Sequence, residues 1–218
     1  MYIKNALYDW FGLNQSLQRW FHSFDDNRIY HQTMSLASKY VGNSDLFPIH
    51  AILIILLFGY VVHRQNAQTS RFSLTKYHSN IIRAGYILCV AFLIDAVLIE
   101  LCKRYFALPR PFCATVLSDI AQARKCYRSF PSGHAAYITI LVMSMWPLMN
   151  KAFRYVAVVC LILIYVSRVA LNMHFPADIF YSVLMSGTVT YFVGKHIDKI
   201  SNRFSALNYY MIKFLTKL

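Results

Sequence analysis

Acidic side chains are scarce in this sequence: nine stand against 22 lysines and arginines over 218 residues, a formal net charge of +13. Charge of either sign is low too, at 14%, where a soluble domain usually carries about 25%. With 57% hydrophobic and 16% aromatic residues, an ordinary soluble exterior is disfavoured. A basic excess suits nucleic acid, an anionic membrane surface or an anionic substrate. Here the cations are scattered between apolar runs and form no stripe, which sets nucleic acid aside. The five cysteines make neither a disulfide framework nor a zinc pattern. No cluster of metal-ligating residues appears, so no metal and no other cofactor is expected. Internal repeats and low-complexity segments are also missing. A cleavable signal peptide is not expected, because the first residues carry Asp9, Asn14, Gln15 and Arg19 and no short apolar core.

What is present is a series of apolar runs near the length of about 20 residues that crosses a bilayer. They are Leu46–Val62, Ile81–Leu101, His134–Met149, Tyr155–Val169 and Asp178–Gly194. The fold class that follows is all-α: an integral membrane helical bundle of five to six transmembrane helices. Residues 5–24 read as an amphipathic helix in the membrane interface, with Leu7, Trp10, Phe11, Leu17, Trp20, Phe21 and Phe24 near helical spacing. The alternative is a poor sixth span. The chain divides into an interfacial segment (1–45), a transmembrane bundle (46–195) and a basic tail (196–218), within a single domain. That tail, with Tyr209, Tyr210, Met211 and Phe214, is expected on the inner leaflet.

Arg64, Arg71, Lys76, Lys151, Arg154, Lys195, Lys199, Arg203, Lys213 and Lys217 fall on one side, with Asp198 the single acid among them. The positive-inside rule makes that side cytoplasmic. Loop 103–133 and turn 168–178 then face outward, and the N-terminal 45 residues, with four basic and four acidic side chains, are compatible with the outside. Loop 103–133 is itself basic, against the rule, and a phosphate site accounts for that. Cys113 and Cys126 flank it and could pair in an oxidising compartment. Cys89 and Cys160 lie in apolar runs and read as small buried side chains.

Three outward segments carry chemistry: Lys103 to Arg110-Pro111, Pro131-Ser132-Gly133-His134, and Ser167-Arg168 with His174 and Asp178. Lys103, Arg110 and Arg168 are cations at span mouths. A single one would read as snorkelling or headgroup anchoring. Three beside two histidines suit a phosphate dianion, with bidentate guanidinium contacts. Pro131 suits a first helical turn, and the amides of Ser132, Gly133 and His134 would point outward as an anion site. Asp178, four residues after His174, can accept an imidazole N–H and leave the other ring nitrogen free to attack phosphorus. His134 can protonate the leaving oxygen. Two histidines in these roles imply a bell-shaped pH profile, with the rate changing between about pH 5 and 8.

Together these segments resemble the three-part signature of the type 2 phosphatidic acid phosphatases, the membrane lipid phosphate phosphatases. The resemblance covers roughly residues 80–195. It implies a metal-independent hydrolase in which His174 forms a phosphohistidine, Asp178 is its partner and His134 is the general acid. Lys103, Arg110, Ser132, Gly133 and Arg168 would hold the phosphate. The family usually has six spans, against five plus an interfacial helix here. The expected partners are a lipid phosphate and the bilayer, with no nucleic acid and no obligate protein partner. The expected place is the inner membrane with the site facing the periplasm. Undecaprenyl diphosphate is the first-choice substrate. Lipid A 1-phosphate, phosphatidylglycerophosphate and phosphatidate are alternatives, as are transfer of the phosphate to another lipid and non-catalytic binding or transport.

Asp95 and Glu100 are ionisable residues in or near a span. Glu100 is expected to pair with Lys103 or Arg104 one helical turn on, and Asp95 to make a hydrogen bond inside the bundle. Arg124, Lys125 and Arg128 either attract an anionic headgroup or form a solvated loop.

Overall fold

The computed structural model describes residues 8–24, 26–41, 71–114 and 126–203. The described residues form six α-helices: α1 (Leu13–His22), α2 (Arg28–Leu36), α3 (Arg71–Phe106), α4 (Gly133–Met145), α5 (Lys151–Ala170) and α6 (Pro176–Arg203). Four of the expected spans fall on α3 to α6. The first, Leu46–Val62, lies outside the described residues, as do Arg124, Lys125 and residues 204–218. The helix α6 runs on to Arg203, beyond the expected start of the tail at residue 196.

Local chemistry sets the helix ends. Asn150 caps α5, its side-chain oxygen accepting from the Phe153 amide at 2.9 Å. Asn27 caps α2 by accepting from the amides of Ile29 and Tyr30 at 3.0 and 3.2 Å. The helix α5 ends on Leu171 and then Asn172, whose φ of 54° is the left-handed conformation that asparagine tolerates best after glycine. Pro131 is not in the first turn of α4: Ser132 is the N-cap and Gly133 the first helical residue.

The core is built where α3, α4 and α6 pack together, from Leu88 and Ala91 of α3, Ile140 and Met145 of α4 and Ile197 of α6, with Ile164 of α5. The helix α4 is apolar all round and buried along its length, as expected of a central helix. It is also short, with 13 residues rising about 20 Å, so it sits inside its neighbours instead of facing lipid alone. The outer faces are apolar as well: Leu93, Val97 and Leu101 on α3, Tyr155 and Val159 on α5, and Leu184 and Tyr191 on α6 are exposed. A bundle with a dry core and an apolar exterior belongs in a membrane. By length and composition two helices, α3 and α5, suffice to cross one. Cys89, expected to be buried, lies on this exterior.

One face of α6 differs. Asp178, Ser182, Ser186 and Thr190 follow one another at every fourth position, and all four are buried. Small polar residues let helices approach closely and bond across the contact. Ser186 donates to Asp95 of α3 at 2.9 Å, the intrabundle bond expected of that carboxylate.

The N-terminal segment packs in an unexpected sense. The buried residues of α1 are Asn14 and Gln18, whereas Leu13 and Trp20 are exposed. Two amides thus face the protein beside Phe21, which packs on Ala135, Val169 and Ile179, while Leu13 and Trp20 face out. Asn14 accepts from the amide of Ala177 at 2.9 Å. Gln18 donates to the Val169 carbonyl at 2.9 Å and to the Asn172 side chain at 2.6 Å. The α1 helix thus clamps the turn between α5 and α6.

Ser186→Ala leaves the buried Asp95 without that donor and is expected to cost about 1–3 kcal/mol, read as a lower Tm in detergent. Adding Asp95→Leu should recover most of the loss, since both polar partners are then gone; a double variant no more stable than the single one would refute the coupling.

Candidate active site

The segments that carry the chemistry meet at one end of the bundle. Loop 107–114 is stapled to residues 126–130: the Arg110 amide donates to the Cys126 carbonyl at 2.8 Å and the Ser129 amide to the Leu108 carbonyl at 3.1 Å. Cys113 and Cys126 form a disulfide with Cα atoms 5.6 Å apart, so the pairing that the sequence left open is made. The same loop reaches the α5–α6 turn, with the Phe112 amide donating to the Asn172 carbonyl at 3.2 Å. That turn folds on itself where Met173 and His174 both donate their amides to the Arg168 carbonyl at 3.1 Å.

His174 is 1% exposed and Asp178 fully buried, with Nδ1 of the imidazole 3.4 Å from Oδ2 of the carboxylate. That distance is long for a hydrogen bond, and Nδ1 makes none. The reason is competition. Oδ2 already accepts from the Ser129 hydroxyl and from the Phe175 amide at 2.9 Å, and Oδ1 accepts from the Tyr8 hydroxyl at 2.6 Å. Three neutral donors hold the carboxylate in place while the imidazole stands beside it.

Burial dominates the acid–base behaviour of His174. Desolvation lowers its pKa to about 4 from the usual 6.5, with Arg110 and Arg168 pushing the same way and Asp178 opposing them. The imidazole is therefore unprotonated throughout the physiological range, as a nucleophile must be. The change of rate expected between pH 5 and 8 from a protonating His174 is corrected: that limb lies lower.

The cations converge on the same place. Arg168, Lys103, Arg110 and His174 all act electrostatically on His134, and Arg110 and Arg168 act on His174. The Lys103 ammonium lies 3.9 Å from where a side chain on Gly133 would begin, so the bare glycine lets the cation reach the start of α4. Among the described residues none of Lys103, Arg110 and Arg168 makes an ion pair. The buried Nε atoms of Arg110 and Arg168 have no hydrogen-bond partner. Buried guanidinium donors without partners are costly, and a bound anion would satisfy them. Glu100, the nearest acid on α3, is engaged elsewhere: it pairs with Arg104 at 2.8 Å and with Arg128. Lys103 is thereby left without an ion pair to it, and Arg128, still 42% exposed, pairs with Glu100.

The expectation for Ser132 needs correction. Its amide does not point outward but donates to the Ser182 hydroxyl at 2.7 Å, and its own hydroxyl oxygen caps α4 by accepting from Ala135 at 3.4 Å. By helix geometry the amides of Gly133 and His134 remain without an intrahelical partner. Tyr8, Ser129 and Ser182 escaped the sequence reading. Only the spacing of Ser182, four after Asp178, could have signalled one of them.

The sequence model of the PAP2 superfamily matches residues 84–200, which include all three segments that the sequence marked for chemistry but not Tyr8. The chain belongs to the PAP2 superfamily. Its structure is similar to the crystal structure of LpxE from Aquifex aeolicus, with a TM-score of 0.59 and 20% identity over 84% of this chain and 95% of that one. At that identity the likeness concerns the fold. No curated protein matches the chain in sequence. As a PAP2 protein with a phosphate-shaped set of cations, it is a membrane lipid phosphatase.

Because the Cys113–Cys126 disulfide holds the segment whose carbonyl fixes the Arg110 backbone, Cys126→Ser should loosen phosphate capture more than turnover. The expected result is a KM raised up to about tenfold, the worth of one hydrogen bond to a charged group, with kcat nearly unchanged. A fall in kcat at constant KM would contradict it.

Proposed function

We propose that this PAP2 protein hydrolyses a lipid phosphate or diphosphate on the outer face of the membrane through a phosphohistidine on His174. The observation that carries the reading is the union, at one buried site, of an unprotonated imidazole beside a fixed carboxylate with three cations that make no ion pair among the described residues. Such a site has little use for a neutral ligand and suits a phosphoryl group whose charge grows on its equatorial oxygens.

In the proposed reaction, the free ring nitrogen of His174 attacks phosphorus while the bond to the lipid oxygen breaks. That oxygen takes the bonding pair and a proton from His134, which takes that proton up once the bound phosphate dianion offsets the surrounding cations. Arg110, Arg168 and Lys103 balance the charge, with the amides of Gly133 and His134 as further donors. Water then attacks the phosphohistidine, gives a proton back to His134, and the P–N pair returns to His174. Asp178 keeps the imidazole oriented throughout.

The outward orientation is supported by the Cys113–Cys126 disulfide, which belongs in an oxidising compartment. For an inner membrane protein that compartment is the periplasm. Undecaprenyl diphosphate remains the first-choice substrate, and lipid A 1-phosphate the alternative that the LpxE-like fold keeps open. A cavity of about 210 Å³ beside the turn, lined by Tyr8, Asp9, Gln15, Leu108, Pro109 and Phe175, offers room for the group that bears the phosphate.

Phosphate release from a panel of these lipids in detergent tests the reading. His174→Ala should abolish it, and His134→Ala should lower kcat by about 10²–10⁴. Survival of activity in His174→Ala would remove the nucleophile. Carrying ³²P into a second lipid instead of free phosphate would make the protein a transferase. In the free enzyme, protonating His174 stops attack, so the acid limb of kcat/KM should have its midpoint near pH 4. A midpoint near 6.5 would show that burial does not govern this residue.

A further inference from the structure

We propose that Tyr8, on the N-terminal strap, is a positioning residue that acts through Asp178 to tune His174. This rests on the phosphatase reading of the same site. The phenol reaches across 170 positions of sequence to donate to Oδ1 of Asp178 at 2.6 Å. It is the one donor on that oxygen among the described residues, since Ser129 and Phe175 both bond Oδ2.

The strap is built to deliver this contact. The ring of Tyr8 meets Phe130 and Phe175 edge to face, with centroids 5.8 and 6.4 Å away. Next along the chain, Trp10, Phe11 and Gly12 have φ values of 50°, 57° and 92°. Such a left-handed run is costly for non-glycine residues. It is held by Asp9, whose carbonyl accepts from the amides of Gly12 and Asn14 at 3.0 and 3.1 Å. From there α1 is tied down by Asn14 and Gln18. The segment therefore spends strain and two buried side-chain amides to seat one phenol on a carboxylate.

Burial and the neighbouring carboxylate push the Tyr8 pKa far above its usual value, so the phenol remains a donor at every working pH. As a donor it shares the negative charge of Asp178. Without it, more of that charge falls on the imidazole, and the protonated form of His174 gains. The other groups that face this pair are unaltered: Lys103 from α3, Arg110 from the stapled loop, His134 from α4, Arg168 from α5 and Asp9 from the strap itself. Removing the phenol should thus raise the His174 titration, toward less nucleophile at mildly acid pH.

The test titrates His174 by NMR in the full chain, labelled with ¹³C at histidine and held in detergent. It compares the wild type, Tyr8→Phe and Asn14→Ala, with phosphate release from phosphatidate micelles measured in parallel. In Tyr8→Phe the His174 midpoint should rise by about one pH unit and kcat should fall about tenfold. In Asn14→Ala, which loosens the strap but leaves the phenol in the chain, the midpoint should rise by less than in Tyr8→Phe. A wild-type midpoint in Tyr8→Phe, or equal shifts in both variants, would overturn the proposal even if no phosphate is released. Absence of release by the wild type from every lipid would instead count against the phosphatase reading alone.

Discussion

The carboxylate of Asp178 is the point on which the rest of the site depends. It is fully buried, and it gathers donors from three separate parts of the chain: Tyr8 from the strap, Ser129 from the stapled loop and the Phe175 amide from its own turn. A buried charge is tolerable only when its hydrogen-bonding capacity is filled, so each of these segments is drawn to one place. The backbone carbonyl of Asp178 extends the same role to α4, because it accepts from Ser182, whose oxygen accepts the Ser132 amide. One residue at the first turn of α6 thereby registers the start of α4, the catalytic turn and the N-terminal strap against one another.

Around that anchor the site is deliberately unbalanced in charge. The imidazole of His174 is buried and unprotonated, and among the described residues the three cations nearby make no ion pair with an acid. Glu100 could have neutralised Lys103 a turn away, but Arg104 and Arg128 occupy it. The electrostatic deficit is one that a phosphate dianion fills. It also gives the basic residues of the segment from Lys103 to Arg110 a use.

The bilayer shapes the remainder. Helices that are apolar on both faces can pack α4 at the centre and still present Leu93, Val97, Tyr155 and Leu184 outward. With lipid outside, Leu13 and Trp20 of α1 can face out while Asn14 and Gln18 bond the turn between α5 and α6. The polar stripe Asp178–Thr190 fits the same logic, since in a dry bundle small polar residues give helices both close approach and directional bonds.

Much of this was legible in the residues. Apolar runs of bilayer length gave α3 to α6, because span length is set by the membrane and not by distant contacts. The three-part signature marked Lys103, Arg110, His134, Arg168, His174 and Asp178 because each chemistry needs its own residue type at fixed local spacing. Tyr8, Ser129 and Ser182 were invisible for the complementary reason: a tyrosine in a strap or a serine in a loop has no special character until a folded carboxylate or amide stands within 3 Å. The same holds for the outward Ser132 amide that turned out to be taken, and for a nucleophile whose pKa depends on burial. The sequence alone determined the apolar helices and the residue types that the site brings together, all of them properties of composition and near neighbours. Only the tertiary structure decided which groups are paired, which are left hungry for an anion and how the imidazole titrates, because hydrogen bonding and desolvation are properties of what surrounds an atom.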